Sequence, residues 1–120
     1  MQNSLLIKGF RAAEDLAAHQ IVALNDSGHA LSATSKSALA IGVTAELSTS
    51  TDGIADVIVQ GIAEVNLSSI VTAGTALTAA DNGTAATASA PCRVIGIALK
   101  SGLSGDRIPM LLAQSQLNEF

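Results

Sequence analysis

Residues 41–60, IGVTAELSTSTDGIADVIVQ, align without a gap with residues 95–114, IGIALKSGLSGDRIPMLLAQ. Six of the twenty aligned positions are identical, including the Gly42/Gly96 and Asp52/Asp106 pairs, where average composition would give about one or two. Both segments pass from an aliphatic stretch with an internal glycine, through a loop of small residues, to a second aliphatic stretch. The sequence therefore predicts one structural unit that occurs twice.

The similarity continues toward the N-terminus with a shift of one residue. Residues 21–28, IVALNDSG, match residues 76–83, ALTAADNG. Each segment ends in an Asn/Asp-rich turn closed by Gly, and these residue types tolerate positive φ in hairpin turns. Two copies are too few for a solenoid. We therefore expect an all-β fold, a small barrel or sandwich with internal pseudo-two-fold duplication (about 16–60 and 70–114) and little helix.

Local signals in both copies favour strands. Residues 54–59, IADVIV, are rich in β-branched side chains and predict a strand whose Asp56 faces solvent. Gly42 and Gly96 lie inside apolar strands, which indicates a bulge, a sharp bend or the close approach of another backbone. Pro109 cannot donate to a ladder, so its strand should be an edge there or begin there.

Residues 9–20, GFRAAEDLAAHQ, have a helix-forming composition. Their position in the duplication instead corresponds to GIAEVNL at residues 61–67, which is typical of a strand that enters a turn. We favour a strand followed by a loop, with a helical turn over residues 12–18 as the alternative.

The charge balance excludes several classes of partner. Six basic residues against ten acidic ones give a net charge of −4, and Trp and Tyr are absent. A nucleic-acid binder needs a basic patch, and one that stacks bases also needs aromatic side chains. No apolar run approaches the ~20 residues of a spanning helix. The sequence therefore predicts neither a nucleic-acid partner nor a membrane.

The N-terminus and the single cysteine bear on the compartment. Residues 1–10 lack the basic region of a secretory signal, and one cysteine cannot form an internal disulfide framework. Synthesis in a reducing cytoplasm is expected. Only 13% of residues are charged, which suits a protein packed against copies of itself or a partner better than an isolated soluble monomer.

Residues able to carry out chemistry are few. His19 and His29 match no zinc-ligand spacing and are expected to be exposed in loops. Cys92 follows Pro91 within a linker of small residues and is interpreted as a half-buried filler. Asp52 and Asp106 could form an acid dyad across the duplication, but turn formation is favoured because each lies beside a glycine. No phosphate loop or dinucleotide fingerprint is present, so no enzyme, metal or cofactor is predicted.

Three segments, in their order and spacing, carry a resemblance to a known family. They are LIKGFRAA at residues 6–13, VQGIAEV at residues 59–65 and VIGIAL at residues 94–99, the last followed by SGD at 104–106 and IPMLL at 108–112. Together they resemble the small capsid decoration, or cement, proteins of tailed phages, encoded beside the major capsid protein, over about residues 5–113. Genome labels for that family include a RecA/RadA-type recombinase. This sequence has no Gly-x-x-x-x-Gly-Lys-Ser/Thr loop and no basic surface to support that label.

The resemblance implies a β-rich structural protein of the virion. Such a protein binds the outside of the expanded head, commonly as trimers near three-fold positions, and bridges subunits of the major capsid protein. It implies no catalytic residues. The expected partners are therefore the major capsid protein and further copies of this chain, whose many weak contacts would stabilise the shell through multivalency.

The expected organisation is an N-terminal arm (1–10), a single β domain (11–114) and a C-terminal tail (115–120). The arm could add its apolar run as a strand to an exposed sheet edge. Phe10 is either an aromatic interface anchor or a core residue, and Phe120 either docks on a partner or is disordered. The candidate interface residues are Leu5, Leu6, Ile7, Phe10 and Phe120. Deleting residues 1–8 is predicted to leave the domain folded and to weaken capsid binding.

Other functions remain open at this point. Another small self-associating virion component, a tail-tube subunit or a head fibre base, is the first alternative. A non-catalytic β module that binds carbohydrate or a small ligand is disfavoured because such modules usually present Trp or Tyr. A hydrolase built on Asp52 and Asp106 would lose its activity when both are changed to Asn, whereas turn residues would mainly change stability.

Overall fold

The structure, a computed structural model, describes residues 6–34, 40–88 and 92–117. In these ranges the chain forms ten strands and one short 3-10 turn, Asp81–Gly83. The strands are β1 Leu6–Arg11, β2 Ile21–Leu24, β3 Ala30–Ser32, β4 Ala40–Thr44, β5 Ile54–Gln60, β6 Ile62–Asn66, β7 Ala76–Ala79, β8 Ala85–Thr87, β9 Cys92–Ala98 and β10 Arg107–Leu117. The fold is all-β, as the sequence predicts.

The strands form two five-stranded antiparallel sheets with one topology. Sheet 1 has the order β1-β5-β4-β2-β3, and sheet 2 has the order β6-β10-β9-β7-β8. Replacing each strand of sheet 1 by the strand five later in the chain generates sheet 2. Isolated parallel bridges repeat as well, Ala12 with Ala30 and Leu67 with Ala85. The duplication is confirmed, and each copy begins one strand earlier than the sequence indicated, at β1 and at β6.

The register corrects the gapless alignment of the last strands. Val57 pairs with Thr44 in sheet 1, and Met110 pairs with Ala98 in sheet 2. The equivalent of Val57 is therefore Met110, because the loop after β9 is one residue shorter than the loop after β4. Ile54 and Ile108, aligned in sequence, occupy different environments, with exposures of 62% and 1%.

The two strand glycines lie where another backbone passes closely. A Cβ on Gly42 would collide with the carbonyl oxygen of Ile58, and one on Gly96 with that of Leu111. Close backbone approach is therefore confirmed at both positions, and the pairing register also shifts beside each glycine, as the expected bulge would require.

Both predicted hairpin turns are present. The Asn25 carboxamide oxygen accepts hydrogen bonds from the backbone N–H groups of Ser27 (2.9 Å) and His29 (3.0 Å), which stabilises the β2–β3 turn. Asn82 and Gly83 adopt φ values of 57° and 75° in the β7–β8 turn. These positive values explain the residue types found there.

Two further local predictions are confirmed, and the one for Pro109 is not. Asp56 is exposed on β5, and residues 9–20 form a strand end followed by a loop. Pro109 pairs with Glu64 of β6, whereas the ladder with β9 begins only at Met110. On the β9 side, the Leu99 N–H donates to the Pro109 carbonyl at 3.0 Å. Pro109 therefore has a backbone neighbour on each side and lies two residues after the start of β10, so the strand is not an edge at this position.

Each sheet has a front face and a back face, named here by equivalent residues. The front face carries Val22 in sheet 1 and its equivalent Leu77 in sheet 2, since Val22 pairs with Gly42 and Leu77 with Gly96. The back face carries the residues that alternate with these, including Val43 in sheet 1 and its equivalent Ile97 in sheet 2.

The main core joins the back face of sheet 1 to the front face of sheet 2. From sheet 1 it takes Ile21, Ala23 and Val43, with Ile58 packed against it. From the strands of sheet 2 it takes apolar front-face residues, including Ala63, Val65, Leu77, Ala79, Ile95, Ile108 and Met110. The two copies of the unit therefore contribute opposite faces to the core that they share.

The front face of sheet 1 has a second, smaller core. It consists of six buried apolar residues, Ala12, Leu16, Val22, Ala30, Ala55 and Val57. The loop between β1 and β2 closes over it, and Leu16 is held there by a backbone hydrogen bond to the Thr49 carbonyl at 2.8 Å. Only part of this face is covered by its own loop.

Candidate interaction surfaces

The histidines and the cysteine do not converge on a chemical site. His19, expected to be exposed, is only 8% exposed, with φ 60°, and its N–H donates to the Thr44 carbonyl at 3.2 Å. The equivalent position is Gly74, with φ 87°, so the fold requires a left-handed residue at this point. Cys92 is the buried first residue of β9 and not part of a linker. Across the described ranges, no three His, Cys, Asp or Glu side chains are grouped so that they could hold a metal ion.

Asp52 and Asp106 do not occupy equivalent positions. The Asp52 N–H donates to the Ala12 carbonyl, and the N–H that donates to the equivalent Leu67 carbonyl belongs to Gly105. The Asp106 carboxylate accepts a hydrogen bond from the Leu103 N–H at 2.9 Å. The interpretation of these residues as turn formers agrees with this geometry, and the symmetric pairing inferred from the alignment is wrong by one residue.

Other carboxylates on the first copy also hold loops together. The Asp15 carboxylate accepts hydrogen bonds from the Thr51 N–H at 2.8 Å and the Thr51 hydroxyl at 2.9 Å, and these two bonds lower the pKa of Asp15 below its ordinary value. The Glu14 carboxylate accepts from the Ser32 N–H and hydroxyl at 3.0 and 2.7 Å. These acidic side chains stabilise the crossover between β1 and β2.

The segment expected to form an arm contributes the edge strand of its own sheet. Among the described strands, β1 has β5 as its one neighbour, and the pairing runs from Leu6 opposite Gln60 to Arg11 opposite Ile54. The addition of this segment to a sheet edge therefore occurs within the molecule. It leaves the outer edge of β1 as a row of backbone groups that a further strand could pair with.

The candidate interface residues lie in different settings. Leu6 and Ile7 are about half exposed on β1, at 55% and 48%. Phe10 is half-buried against the small core of sheet 1, and its ring lies 5.9 Å from the Lys8 ammonium, a cation–π distance. Leu5 and Phe120 lie outside the described residues.

An open groove of about 580 Å³ lies beside β1. It is formed by the back-face side of β1 and β5, the loop after β4, and β6 of sheet 2. Its apolar lining includes Ile7, Leu47, Ile54, Ile58 and Ile62. Three acidic residues, Glu46, Asp56 and Glu64, also line it. The groove suits an apolar segment that carries basic residues at its margins.

Sequence reasoning found one residue of this groove, Ile7, and missed the others. The groove exists because sheet 2 covers only part of the back face of sheet 1, and no local pattern encodes that offset. An available signal was the lone leucine in the polar loop after β4, Leu47, which is 81% exposed. A large apolar side chain in such a loop can mark a contact surface.

No helix within the described ranges is long and apolar enough to cross a membrane.

Comparison with known proteins identifies a structural neighbour. No protein-family model and no curated protein matches the sequence. Among solved structures, the fold is similar to the crystal structure of the head fiber gp8.5 N base of bacteriophage phi29. The TM-score is 0.72 at 19% sequence identity, over 97% of this chain and 100% of that one. At this identity the similarity shows that the two chains share a fold, and that fold spans nearly the whole of both.

Proposed function

We propose that this protein is a structural component of a tailed-phage virion that decorates the outer surface of the capsid. In this role it stabilises the expanded head by bridging major capsid protein subunits, as trimers. The observation that carries the proposal is the fold shared with the base of a phage head fibre over 97% of the chain. The sequence resemblance to cement proteins leads independently to the same location.

The surface of the molecule supports a bridging role. The free edge of β1 offers main-chain donors and acceptors to an extended segment of a partner. The neighbouring groove could receive apolar side chains of that segment, and its acidic residues match basic ones. Repetition of such contacts around a closed shell would stabilise the head even when each contact is weak.

The proposal is non-catalytic. What supports it is the use of three carboxylates as structural hydrogen-bond acceptors: Glu14 accepts from Ser32 of β3, Asp15 from Thr51 of the loop after β4, and Asp106 from Leu103 of its own loop. The proposed partners are the major capsid protein and other copies of this chain, with no nucleic acid, membrane or cofactor, and the proposed place of synthesis is the bacterial cytoplasm.

A head fibre base is the second candidate, and the phi29 neighbour specifically favours it. A cement protein should occupy equivalent lattice positions at a copy number equal to the capsid subunits or a simple fraction of them. A fibre base should occupy a subset of positions. Counting bound copies per head separates the two.

The test is co-sedimentation of the purified protein with expanded, undecorated heads of its parent phage, with unexpanded heads as the control. We expect saturable binding to expanded heads only. An Ile7→Glu variant, which places a charge where β1 meets the groove, should bind at least 10-fold more weakly. Ile70→Glu is the matched control, because Ile70 is 67% exposed and is not among the residues that line the groove.

Two results would contradict the proposal. Absence of the protein from both kinds of head would exclude a role on the capsid. Equal binding of the wild type, Ile7→Glu and Ile70→Glu would exclude β1 and its groove as the binding surface.

A further inference from the structure

Equivalent positions on the two front faces differ in burial. In sheet 2, Ala79 and Ile95 are buried in the main core, at 5% and 2% exposure, and Leu112 packs against it. Their equivalents in sheet 1 are Leu24, Ile41 and Val59. Leu24 is 39% exposed and Ile41 is half-buried, so these two positions are less covered than Ala79 and Ile95, whereas Val59 is half-buried like its equivalent Leu112. In sheet 2, this part of the front face is covered by sheet 1. The equivalent part of the front face of sheet 1 is also apolar, but it is only partly covered.

The back faces differ in the opposite direction. In sheet 1, Val43 is fully buried in the main core and Ile58 packs against it. The equivalent residues of sheet 2 are Ile97, which is half-buried, and Leu111, which is 40% exposed. Apolar side chains thus lie on the back face of sheet 2, together with the exposed Glu64 and Arg107, without the sheet that covers their counterparts in sheet 1.

These two observations have one geometric cause. The internal contact is heterologous, since a back face meets a front face. A contact of this type uses one face of each unit and leaves the complementary face of each unit open. The open faces here are the front of sheet 1 and the back of sheet 2, and they are the two halves of an interface that the molecule already forms once.

We propose that the front face of sheet 1 in one copy binds the back face of sheet 2 in a second copy, by repeating the internal sheet-to-sheet contact between molecules. The occupant is a second copy of this chain, because every copy carries both open faces and these two faces are complementary to each other. Heterologous contacts either close into rings or extend as filaments. A closed ring of three copies would contain six β units. The choice of three rests on the proposed function, whereas the head-to-tail contact does not.

The contact can be broken from either side by a charge at a part-exposed leucine. Leu24→Glu alters the front face of sheet 1, and Leu111→Glu alters the back face of sheet 2. The two side chains are 39% and 40% exposed in the single molecule, so each variant should fold, which circular dichroism and thermal unfolding would verify. Ile70→Glu again provides the control.

Sedimentation equilibrium of the full chain without heads tests the contact directly. The wild type and Ile70→Glu should form assemblies of more than one copy. Leu24→Glu and Leu111→Glu should each self-associate at least 100-fold more weakly, because every contact between identical copies then includes the altered face. An equimolar mixture of the two variants should form dimers, since one contact between two intact faces becomes available.

The mixing result distinguishes this arrangement from a symmetric dimer, in which no combination of the two variants regenerates an intact interface. The proposal is overturned if the wild type is monomeric throughout the accessible concentration range, as it would be if capsid subunits cover these faces instead. It is also overturned if either single variant assembles like the wild type, or if the mixture stays monomeric. None of these results depends on head binding, so the proposed function stands or fails separately.

Discussion

At the level of single residues, the strand glycines are the most demanding positions. Gly42 and Gly96 have negative φ values, so backbone conformation does not require glycine at these positions. Glycine is required because a Cβ at either one would collide with a carbonyl oxygen of the neighbouring strand. Gly28 has the opposite character, with φ at 79° and no heavy atom within 4 Å of a Cβ placed on it. The sequence alone identified all three as special but could not separate these reasons.

Alanine substitutions should separate the two requirements. Gly28→Ala is expected to cost about 1 kcal/mol, the usual penalty for a left-handed non-glycine residue. Gly42→Ala should cost roughly 3 kcal/mol or more, because β4 and β5 must move apart to accept the methyl group. Urea unfolding of both variants measures the difference. Similar losses at the two positions would show that β4 and β5 have room between them after all.

The burial of His19 could not be predicted from its residue type. The sequence indicated an exposed loop histidine, since nothing near it resembles a buried segment. Its burial arises because the β1–β2 crossover folds back on the end of β4, where the Thr44 hydroxyl accepts from the Gln20 N–H and donates to the Ala17 carbonyl, at 2.9 and 2.7 Å. Such burial follows from long-range packing and has no local signature.

At the level of elements, β1 explains why the domain boundary was hard to place. LIKGFR lacks the alternation of a half-buried strand, because most of its side chains are exposed at the sheet edge. Its counterpart β6 alternates clearly, with Ala63 and Val65 buried under sheet 1. The same strand position therefore gives a strong signal in one copy and a weak one in the other.

Truncation should reveal the contribution of β1. Removing residues 1–8 takes Leu6, Ile7 and Lys8 from the ladder with β5, and the loss of hydrogen bonds and apolar burial should lower the free energy of unfolding by about 2 kcal/mol. Removing residues 1–5 leaves β1 complete and should change stability little. Thermal unfolding of both truncations provides the comparison. An unchanged stability after removal of residues 1–8 would support the original expectation of a separate arm.

At the level of the whole molecule, the sequence revealed the duplication but not how the copies pack. Both faces of each unit carry apolar residues along with some charged ones, so periodicity could not indicate which face of sheet 1 meets which face of sheet 2. The groove and the proposed self-association surface both follow from that one choice. The proposed interaction surfaces thus depend on packing between the sheets, which strand patterns do not record.

Because the main core takes residues from both sheets, the two copies should unfold as one cooperative unit. Val43 is fully buried on the back face of sheet 1, against the front face of sheet 2. Val43→Ala should cost about 2 kcal/mol and lower the midpoint of a single transition by about 6–12 °C. The measurement is scanning calorimetry in the Leu24→Glu background, chosen to suppress self-association. Ile70→Ala, at an exposed site, is the control and should leave the midpoint unchanged.

The ratio of the van't Hoff enthalpy to the calorimetric enthalpy shows whether the two copies unfold together. A van't Hoff enthalpy equal to the calorimetric one indicates that both copies unfold together. If the copies were independent domains, the van't Hoff value would be about half, and Val43→Ala would shift only one of two transitions. That outcome would mean that the front-to-back contact is weak even within one molecule. A weak internal contact could not serve as the pattern for a contact between copies, so the proposed head-to-tail assembly would lose its physical basis as well.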